Sequence, residues 1–200
     1  MMKRLIITIL AGLSAFMPVL AQERTPDELR DIVISTASRI SSVECDFVQT
    51  KKSSMLAEAA VSEGRMAFRR SGYLRWEYTS PFIFSLTVDN GLITMEKDGM
   101  KTVMDSSGSK LFKEMSSMIS GSIDGSALTS GKMFRAGFVE EGGEIVVTLI
   151  PVKADIKRLW SKLVIRYDAV TLMAKSFEMQ ELSGDVTLIQ FKNSRYEVSQ

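Results

Sequence analysis

The stretch Gly64–Phe82, GRMAFRRSGYLRWEYTSPF, contains two runs in which apolar and polar residues alternate, joined by a short turn. Alternation with a period of two is typical of β-strands, because successive side chains point to opposite faces of a sheet. Ser71 and Gly72 favour a tight turn, so the stretch predicts a β-hairpin. Two arginines, Arg69 and Arg70, stand directly beside that turn.

The alternation predicts that this hairpin and the next strand share one apolar, largely aromatic face. Its residues are Met66, Phe68, Leu74, Trp76, Tyr78, Phe84 and Leu86. Arg70 falls on the same face at its rim, whereas Arg69 falls on the opposite face. Such a face is suited either to an ordinary packed core or to a cavity for apolar ligands.

The segments around the hairpin extend the same pattern into a larger sheet. Upstream, Thr25-Pro26-Asp27-Glu28 predicts the start of an amphipathic helix that covers about residues 26 to 41. The predicted strands cover residues 43–50, 61–70, 73–79, 82–88, 92–96, 100–104, 134–139, 144–150, 156–167, 174–182 and 186–193. Short strands joined by turn residues predict an α+β fold dominated by one large, curved antiparallel sheet.

A second amphipathic helix is predicted over residues 107 to 120, where the alternation is interrupted. Its apolar stripe consists of Leu111, Phe112, Met115, Met118 and Ile119. A wide sheet needs a cover on its concave face, and the chain supplies only two helices for that purpose.

The first 21 residues have the features of a secretory signal peptide. Lys3 and Arg4 precede the apolar run Leu5 to Phe16, and an exit segment from Pro18 to Ala21 ends in Val-Leu-Ala. The run is too short for a membrane anchor, which needs roughly 20 apolar residues. We therefore expect a signal peptide over residues 1–21, a single domain over residues 22–200, and export to the periplasm as a soluble monomer.

Composition argues against several classes of function. The chain has no histidine, which excludes histidine-dependent nucleophilic catalysis and most transition-metal sites. Its near-neutral charge offers no footprint for nucleic acid. Cys45 is the only cysteine, so no intrachain disulfide can form. We expect no catalytic residues, no metal and no cofactor, and we do not expect an enzyme.

The order of motifs resembles that of the periplasmic outer-membrane lipoprotein carriers, the LolA family. The matching motifs are Phe47-Val48-Gln49, Gly64 to Arg70, Leu74-Arg75-Trp76, Pro81, Asn90-Gly91, Leu149 to Lys153, Leu159 to Tyr167 and Phe191-Lys192-Asn193. The resemblance covers nearly all of residues 25 to 196. One departure is that Ser71-Gly72 follows the arginine pair, where the family usually has proline.

The resemblance implies an unclosed antiparallel β-barrel whose concave face is covered by helices that act as a lid. The apolar face becomes a hydrophobic cavity for lipoprotein acyl chains, and residues 107–120 become part of the lid. Arg70 aligns with the family's arginine that holds the lid through backbone carbonyls, although the missing proline leaves Arg69 as an alternative. The implied partners are acylated lipoproteins, an inner-membrane lipoprotein-releasing transporter and an outer-membrane receptor.

Two other functions are compatible with the same sequence. One is a carrier of another lipid or glycolipid, and the other is a non-transporting periplasmic sensor or interaction module whose cavity is filled. The volume and lining of any cavity between the sheet and its helices would distinguish a carrier from a solid core.

Overall fold

The structure is a computed structural model that describes residues 23–55, 57–105, 121, 125, 128, 131 and 133–199. The predicted signal peptide lies outside the described residues. So does the predicted helix over residues 107–120, with its stripe of Leu111, Phe112, Met115, Met118 and Ile119. No helix in the described part of the chain is long and apolar enough to cross a membrane.

Helix α1 covers Pro26–Arg39 and starts where its capping residues predict. The Glu28 backbone N–H donates to Thr25 Oγ1, and the Thr25 backbone N–H donates to a Glu28 carboxylate oxygen at 2.7 Å. This reciprocal pair satisfies backbone donors that a helix start would otherwise leave unpaired. One face of the helix is buried, through Leu29, Val33 and Ala37.

Eleven strands form one continuous antiparallel sheet. They are β1 (Ile40–Lys52), β2 (Ala60–Arg69), β3 (Tyr73–Ser80), β4 (Phe84–Asp89), β5 (Leu92–Lys97), β6 (Met100–Asp105), β7 (Phe134–Glu141), β8 (Glu144–Pro151), β9 (Trp160–Asp168), β10 (Ala174–Glu181) and β11 (Val186–Val198). Their order across the sheet is β6-β5-β4-β3-β2-β1-β11-β10-β9-β8-β7, so β6 and β7 are the two edges of the sheet that the described residues form. The predicted class, with one large unclosed antiparallel sheet, is confirmed.

The predicted strand over residues 156–167 is wrong at its start. A short helix, α2 (Ala154–Lys157), occupies this position and buries Ile156 in the core, and β9 begins only at Trp160. A short apolar segment fits a buried helical turn as well as a strand, so periodicity alone could not distinguish the two.

Because neighbouring strands are antiparallel, successive connections alternate between two ends of the sheet. We call one end the distal rim; it carries the β1–β2, β3–β4, β5–β6, β8–β9 and β10–β11 connections. The other end is the proximal rim, where α1 enters β1 and where the turn containing Arg70 lies. The proximal rim also carries the β4–β5, β7–β8 and β9–β10 connections.

A glycine allows close packing in the middle of the sheet. At Gly64 the pairing of β2 with β3 shifts by one residue, and an added Cβ would overlap both the Glu77 carbonyl and the Phe47 ring. The space is used by Phe47, whose ring stacks on Trp76 at 4.2 Å between centroids. Gly64 therefore lets the aromatic centre of the core form.

Candidate functional site

An apolar cavity of about 250 Å³ lies on the face of the sheet that is covered by α1. It is lined by Ala37, Ile40, Val43, Cys45, Gln49, Met66, Trp76, Tyr78, Phe84, Leu86, Trp160, Ile165, Tyr167, Leu172, Ala174, Phe177, Met179, Ile189, Phe191 and Tyr196. The wall thus combines the last helical turn of α1 with strands from both halves of the sheet. Apolar cavities of even about 150 Å³ stay dry and bind apolar molecules, so this volume is large enough to take an apolar group.

The residues predicted to form a cavity divide into two groups. Met66, Trp76, Tyr78, Phe84 and Leu86 are part of the wall. Phe68 and Leu74 point to the same face, but they are buried in the core and are not among the residues that line the cavity. They pair with each other across β2 and β3, close to the proximal rim.

The sequence pattern did not identify the residues that form the other half of the wall. Trp160 and Tyr167 come from β9, Phe177 and Met179 from β10, and Phe191 from β11. The available signal was the period-two spacing of Phe177 with Met179 and of Ile189 with Phe191, which places each pair on one strand face. Alternation within a strand does not reveal which distant strand faces it, so only the sheet order identifies these residues.

One polar pair interrupts the apolar wall. The Tyr78 hydroxyl donates to Gln49 Oε1 at 2.9 Å. Among the described residues, none accepts a hydrogen bond from the Gln49 amide nitrogen, which carries two N–H donors. Gln49 is therefore a candidate donor to an ester or amide carbonyl.

The described residues of the wall are uncharged near neutral pH. None of them is an aspartate, glutamate, lysine or arginine. Burial raises the pKa of the Cys45 thiol to about 12, and the nearby Asp46 carboxylate acts in the same direction. Burial also raises the pKa of Tyr78, Tyr167 and Tyr196. The cavity is thus an environment for neutral, apolar groups.

Arg70 binds the C-terminal end of α1. Its Nε donates to the Ile40 carbonyl at 2.8 Å and its Nη2 donates to the Ala37 carbonyl at 2.8 Å. These carbonyls lie where a helix end has unpaired acceptors and a partial negative charge, so a guanidinium with several fixed donors suits them. Arg69 points the other way and lies over the Tyr73 ring, 4.9 Å from its centroid. Of the two arginines, Arg70 is therefore the one that contacts the helix.

The N-terminal end of α1 is attached separately. Arg24, just before the helix, donates from Nε and Nη2 to the two carboxylate oxygens of Glu140 on β7, at 2.8 and 2.7 Å. At the C-terminal end, Ala37 lines the cavity with its side chain and accepts a hydrogen bond from Arg70 with its carbonyl.

The described residues contain no group of three or more histidine, cysteine, aspartate or glutamate side chains that could hold a metal ion. Glu44 and Asp46 on β1 make their ion pairs with Arg195 and Arg65 at exposed positions. These carboxylates belong to the solvated face of the sheet.

A broad unclosed sheet with an apolar cavity under a helix defines a class of proteins that enclose apolar groups. Residues 38–199 match the family described as outer membrane lipoprotein carrier protein LolA. The match covers most of the chain, which therefore belongs to the LolA family. A search of curated proteins found no significant match.

Several solved structures are similar to this one. A LolA superfamily protein from Nitrosomonas europaea has 8% identity and a TM-score of 0.46, with 86% of this chain and 95% of that chain covered. MucB of Pseudomonas aeruginosa, solved with MucA, has 13% identity and a TM-score of 0.48, with 86% of this chain and 57% of that chain covered. The lipoprotein LppX of Mycobacterium tuberculosis has 12% identity and a TM-score of 0.43, with 85% and 95% covered. The family assignment rests on the sequence match alone.

Proposed function

We propose that the protein is a periplasmic carrier that holds the acyl chains of lipoproteins in its cavity and moves them from the inner to the outer membrane. The observation that carries this proposal is the uncharged, apolar cavity that α1 and both halves of the sheet enclose. Membership of a lipoprotein-carrier family supports it.

Energetics explain why such a carrier needs a covered cavity. Each acyl CH₂ group transferred out of water contributes about 0.8 kcal/mol, so free acyl chains strongly favour aggregation or insertion into the nearest membrane. A wall without charged groups stabilises these chains and requires no desolvation of ions. The protein binds and releases its cargo without a cofactor and without catalysis.

Release requires that the cover can open. Arg70 holds α1 through two hydrogen bonds to carbonyls, and at this exposed position the two bonds together contribute about 1 to 3 kcal/mol. Contacts of this strength keep α1 closed over an empty cavity, yet cargo binding can offset them. In this proposal an inner-membrane transporter loads the carrier and an outer-membrane receptor accepts the cargo.

The test is binding of a synthetic triacylated lipopeptide to purified, delipidated protein. We expect saturable binding, and we expect the lipopeptide to displace a hydrophobic fluorophore from the cavity. The non-acylated peptide is the control and should displace nothing. If the protein binds neither the lipopeptide nor the fluorophore, the carrier proposal is wrong.

The cargo class is tested by mass spectrometry of lipids and proteins that co-purify from the periplasm. The wall recognises acyl chains through apolar contact, which by itself would also accept another lipid or a glycolipid. Recovery of acylated lipoproteins supports the proposal, whereas recovery of a lipid or glycolipid alone would replace lipoproteins as the cargo.

A further inference from the structure

Exposed apolar side chains are concentrated on the distal rim. Each of its five connections, counted with the residues that flank it, presents at least one exposed apolar side chain. We call these side chains the apolar tips; they are Met55 in β1–β2, Phe82 and Ile83 in β3–β4, Met100 in β5–β6, Val152 and Leu159 in β8–β9, and Leu182 in β10–β11. Met55 is 91% exposed, and Ile83 and Met100 are each 71% exposed.

The proximal rim presents fewer exposed apolar side chains than the distal rim. Among the described residues, large exposed apolar side chains occur there at Val170 in β9–β10, at Leu92 beside the β4–β5 turn, and at Val198 at the end of β11. The β2–β3 and β7–β8 turns present none, because they are built from Arg70-Ser71-Gly72 and Gly142-Gly143. Both rims have similar hairpins, so turn formation alone does not account for the apolar tips on one of them.

The arrangement of the tips indicates what they contact. Neighbouring connections on one rim are separated by two strand spacings, or about 10 Å, so the apolar side chains are separate points rather than a continuous patch. A protein interface has a contiguous, close-packed centre. The interfacial region of a bilayer instead takes up separate apolar side chains between hydrated headgroups.

Charges on the distal rim have both signs. Lys97 adjoins Asp98 at one tip. The β8–β9 connection carries Lys153, Lys157 and Arg158 against Asp155, and Glu181 and Asp185 at the β10–β11 connection offset that excess of positive charge. Such a mixed rim has little net attraction for an anionic surface and fits a zwitterionic one.

The rim is connected to the cavity by aromatic rings. Phe82 lies 5.2 Å from the ring of Tyr78, measured between centroids, and Tyr78 lies 6.3 Å from Phe84. Tyr78 and Phe84 belong to the cavity wall. Apolar surface therefore continues from the cavity to the tip of the β3–β4 connection.

We propose that the distal rim docks on a zwitterionic phospholipid bilayer, with its apolar tips in the interfacial region, and that acyl chains enter and leave the cavity beside Tyr78 and Phe82 while the rim is docked beside the membrane-bound transporter or receptor. This inference rests on the proposed carrier function and adds the site of transfer to it.

An environment-sensitive dye tests the orientation of docking. Cys45 is buried and its pKa is raised to about 12, so a thiol dye will label an introduced cysteine selectively. The probe variant is Ile83→Cys on the distal rim, and the matched control is Val170→Cys, a position on the proximal rim that is even more exposed. With vesicles of phosphatidylcholine and phosphatidylethanolamine, the dye should shift to the blue at position 83 and not at position 170. Equal shifts at both positions, or no shift at either, would overturn the proposal.

Vesicle co-sedimentation tests the apolar tips themselves. The combined variant Met55→Ser, Ile83→Ser and Met100→Ser should lower the vesicle partition coefficient by at least about tenfold, since each change removes apolar surface from the interface. The control pair Leu92→Ser and Val170→Ser should leave partitioning unchanged. Binding that disappears at high salt would contradict a zwitterionic surface.

These experiments are separate from the test of the carrier itself. Fluorophore displacement in solution uses no vesicles, so it reports the cavity whether or not the rim docks. A protein that binds lipopeptide in solution but ignores vesicles would retain the proposed function and lose this inference.

Discussion

At the scale of single residues, Arg70 and Arg69 show how one position in a strand changes the role of a charge. Arg70 reaches the carbonyls of Ala37 and Ile40, whereas Arg69 lies over Tyr73 on the opposite face. Alternation in the sequence predicted this separation of the two side chains. The carbonyl partners lie at the end of α1 and the start of β1, 30 or more residues earlier, and local pattern does not specify them.

Replacing Arg70 with leucine tests its contacts with α1. We expect Arg70→Leu to lower the free energy of unfolding by about 1 to 3 kcal/mol and to speed hydrogen exchange in the last turn of α1, because two carbonyls lose a charged donor. Exchange measured by mass spectrometry checks this. The matched control is Arg69→Leu, which should leave exchange in α1 unchanged; equal acceleration in both variants would contradict the assignment.

Gln49 offers a second test at this scale. If its amide N–H groups donate to a cargo carbonyl, the wild-type cavity should prefer a fatty-acid methyl ester over an alkane of equal length. A hydrogen bond of about 0.5 to 1.5 kcal/mol corresponds to a preference of roughly two- to tenfold. In Gln49→Leu that preference should vanish while alkane affinity is retained. Fluorophore displacement measures both ligands, and an unchanged ester preference in the variant would exclude Gln49 from recognition.

At the scale of elements, helix α1 is held at both ends by side chains from the sheet. Glu140 on β7 accepts from Arg24 just before the helix, and Arg70 binds its last turn. The start of α1 was predictable because Thr25, Pro26 and Glu28 are adjacent in the chain. The Arg24–Glu140 pair was not, since the two residues are 116 positions apart.

Acid should weaken the N-terminal attachment of α1. The hydrogen bonds from Arg24 lower the pKa of Glu140, so the contribution of this pair is present above the ordinary pKa of a glutamate and is lost as pH falls through the lowered value. Bonds from Thr25 and from Thr171 lower the pKa of Glu28 and of Asp168 in the same way. We expect stability to fall below about pH 4.5 and part of that pH dependence to vanish in Glu140→Gln. Unfolding by denaturant at several pH values tests this, and an identical profile in the variant would contradict it.

Gly64 sets the packing between β2, β3 and the Phe47 ring. We expect Gly64→Ala to destabilise the fold by about 3 kcal/mol or more, because the added methyl overlaps backbone as well as side chain. Gly137 on β7 is the matched control, since an added Cβ there meets nothing within 4 Å. Denaturant midpoints compare the two variants. A small effect at Gly64 would show that β3 and Phe47 can shift at little cost.

At the scale of the whole molecule, the sequence specified the sheet and half of the cavity. The hairpin around Gly72 gave Met66, Trp76 and Tyr78 their common face, and the structure places all three in the wall. Phe177, Met179 and Phe191 reach the same cavity only because β1 pairs with β11 and brings the two halves of the chain together. That pairing joins segments about 150 residues apart, for which a single sequence carries no local signal.

Ligand binding should stabilise the whole domain. A ligand that binds only the folded state at 100 times its dissociation constant adds about 2.7 kcal/mol. The variant Ala174→Phe places a large side chain in the cavity wall and should reduce this stabilisation. Thermal unfolding with and without triacylated lipopeptide measures it. Equal ligand-induced shifts in the wild type and in Ala174→Phe would place the ligand elsewhere.

The central claim is that acyl chains occupy the cavity, and the two tryptophans of the chain allow a direct measurement. Trp76 and Trp160 are the only tryptophans in the sequence, and both line the cavity from opposite halves of the sheet. A triacylated lipopeptide with brominated acyl chains should quench their fluorescence saturably, whereas the same lipopeptide without bromine should not. Binding of the brominated lipopeptide without quenching would show that its acyl chains lie outside the cavity.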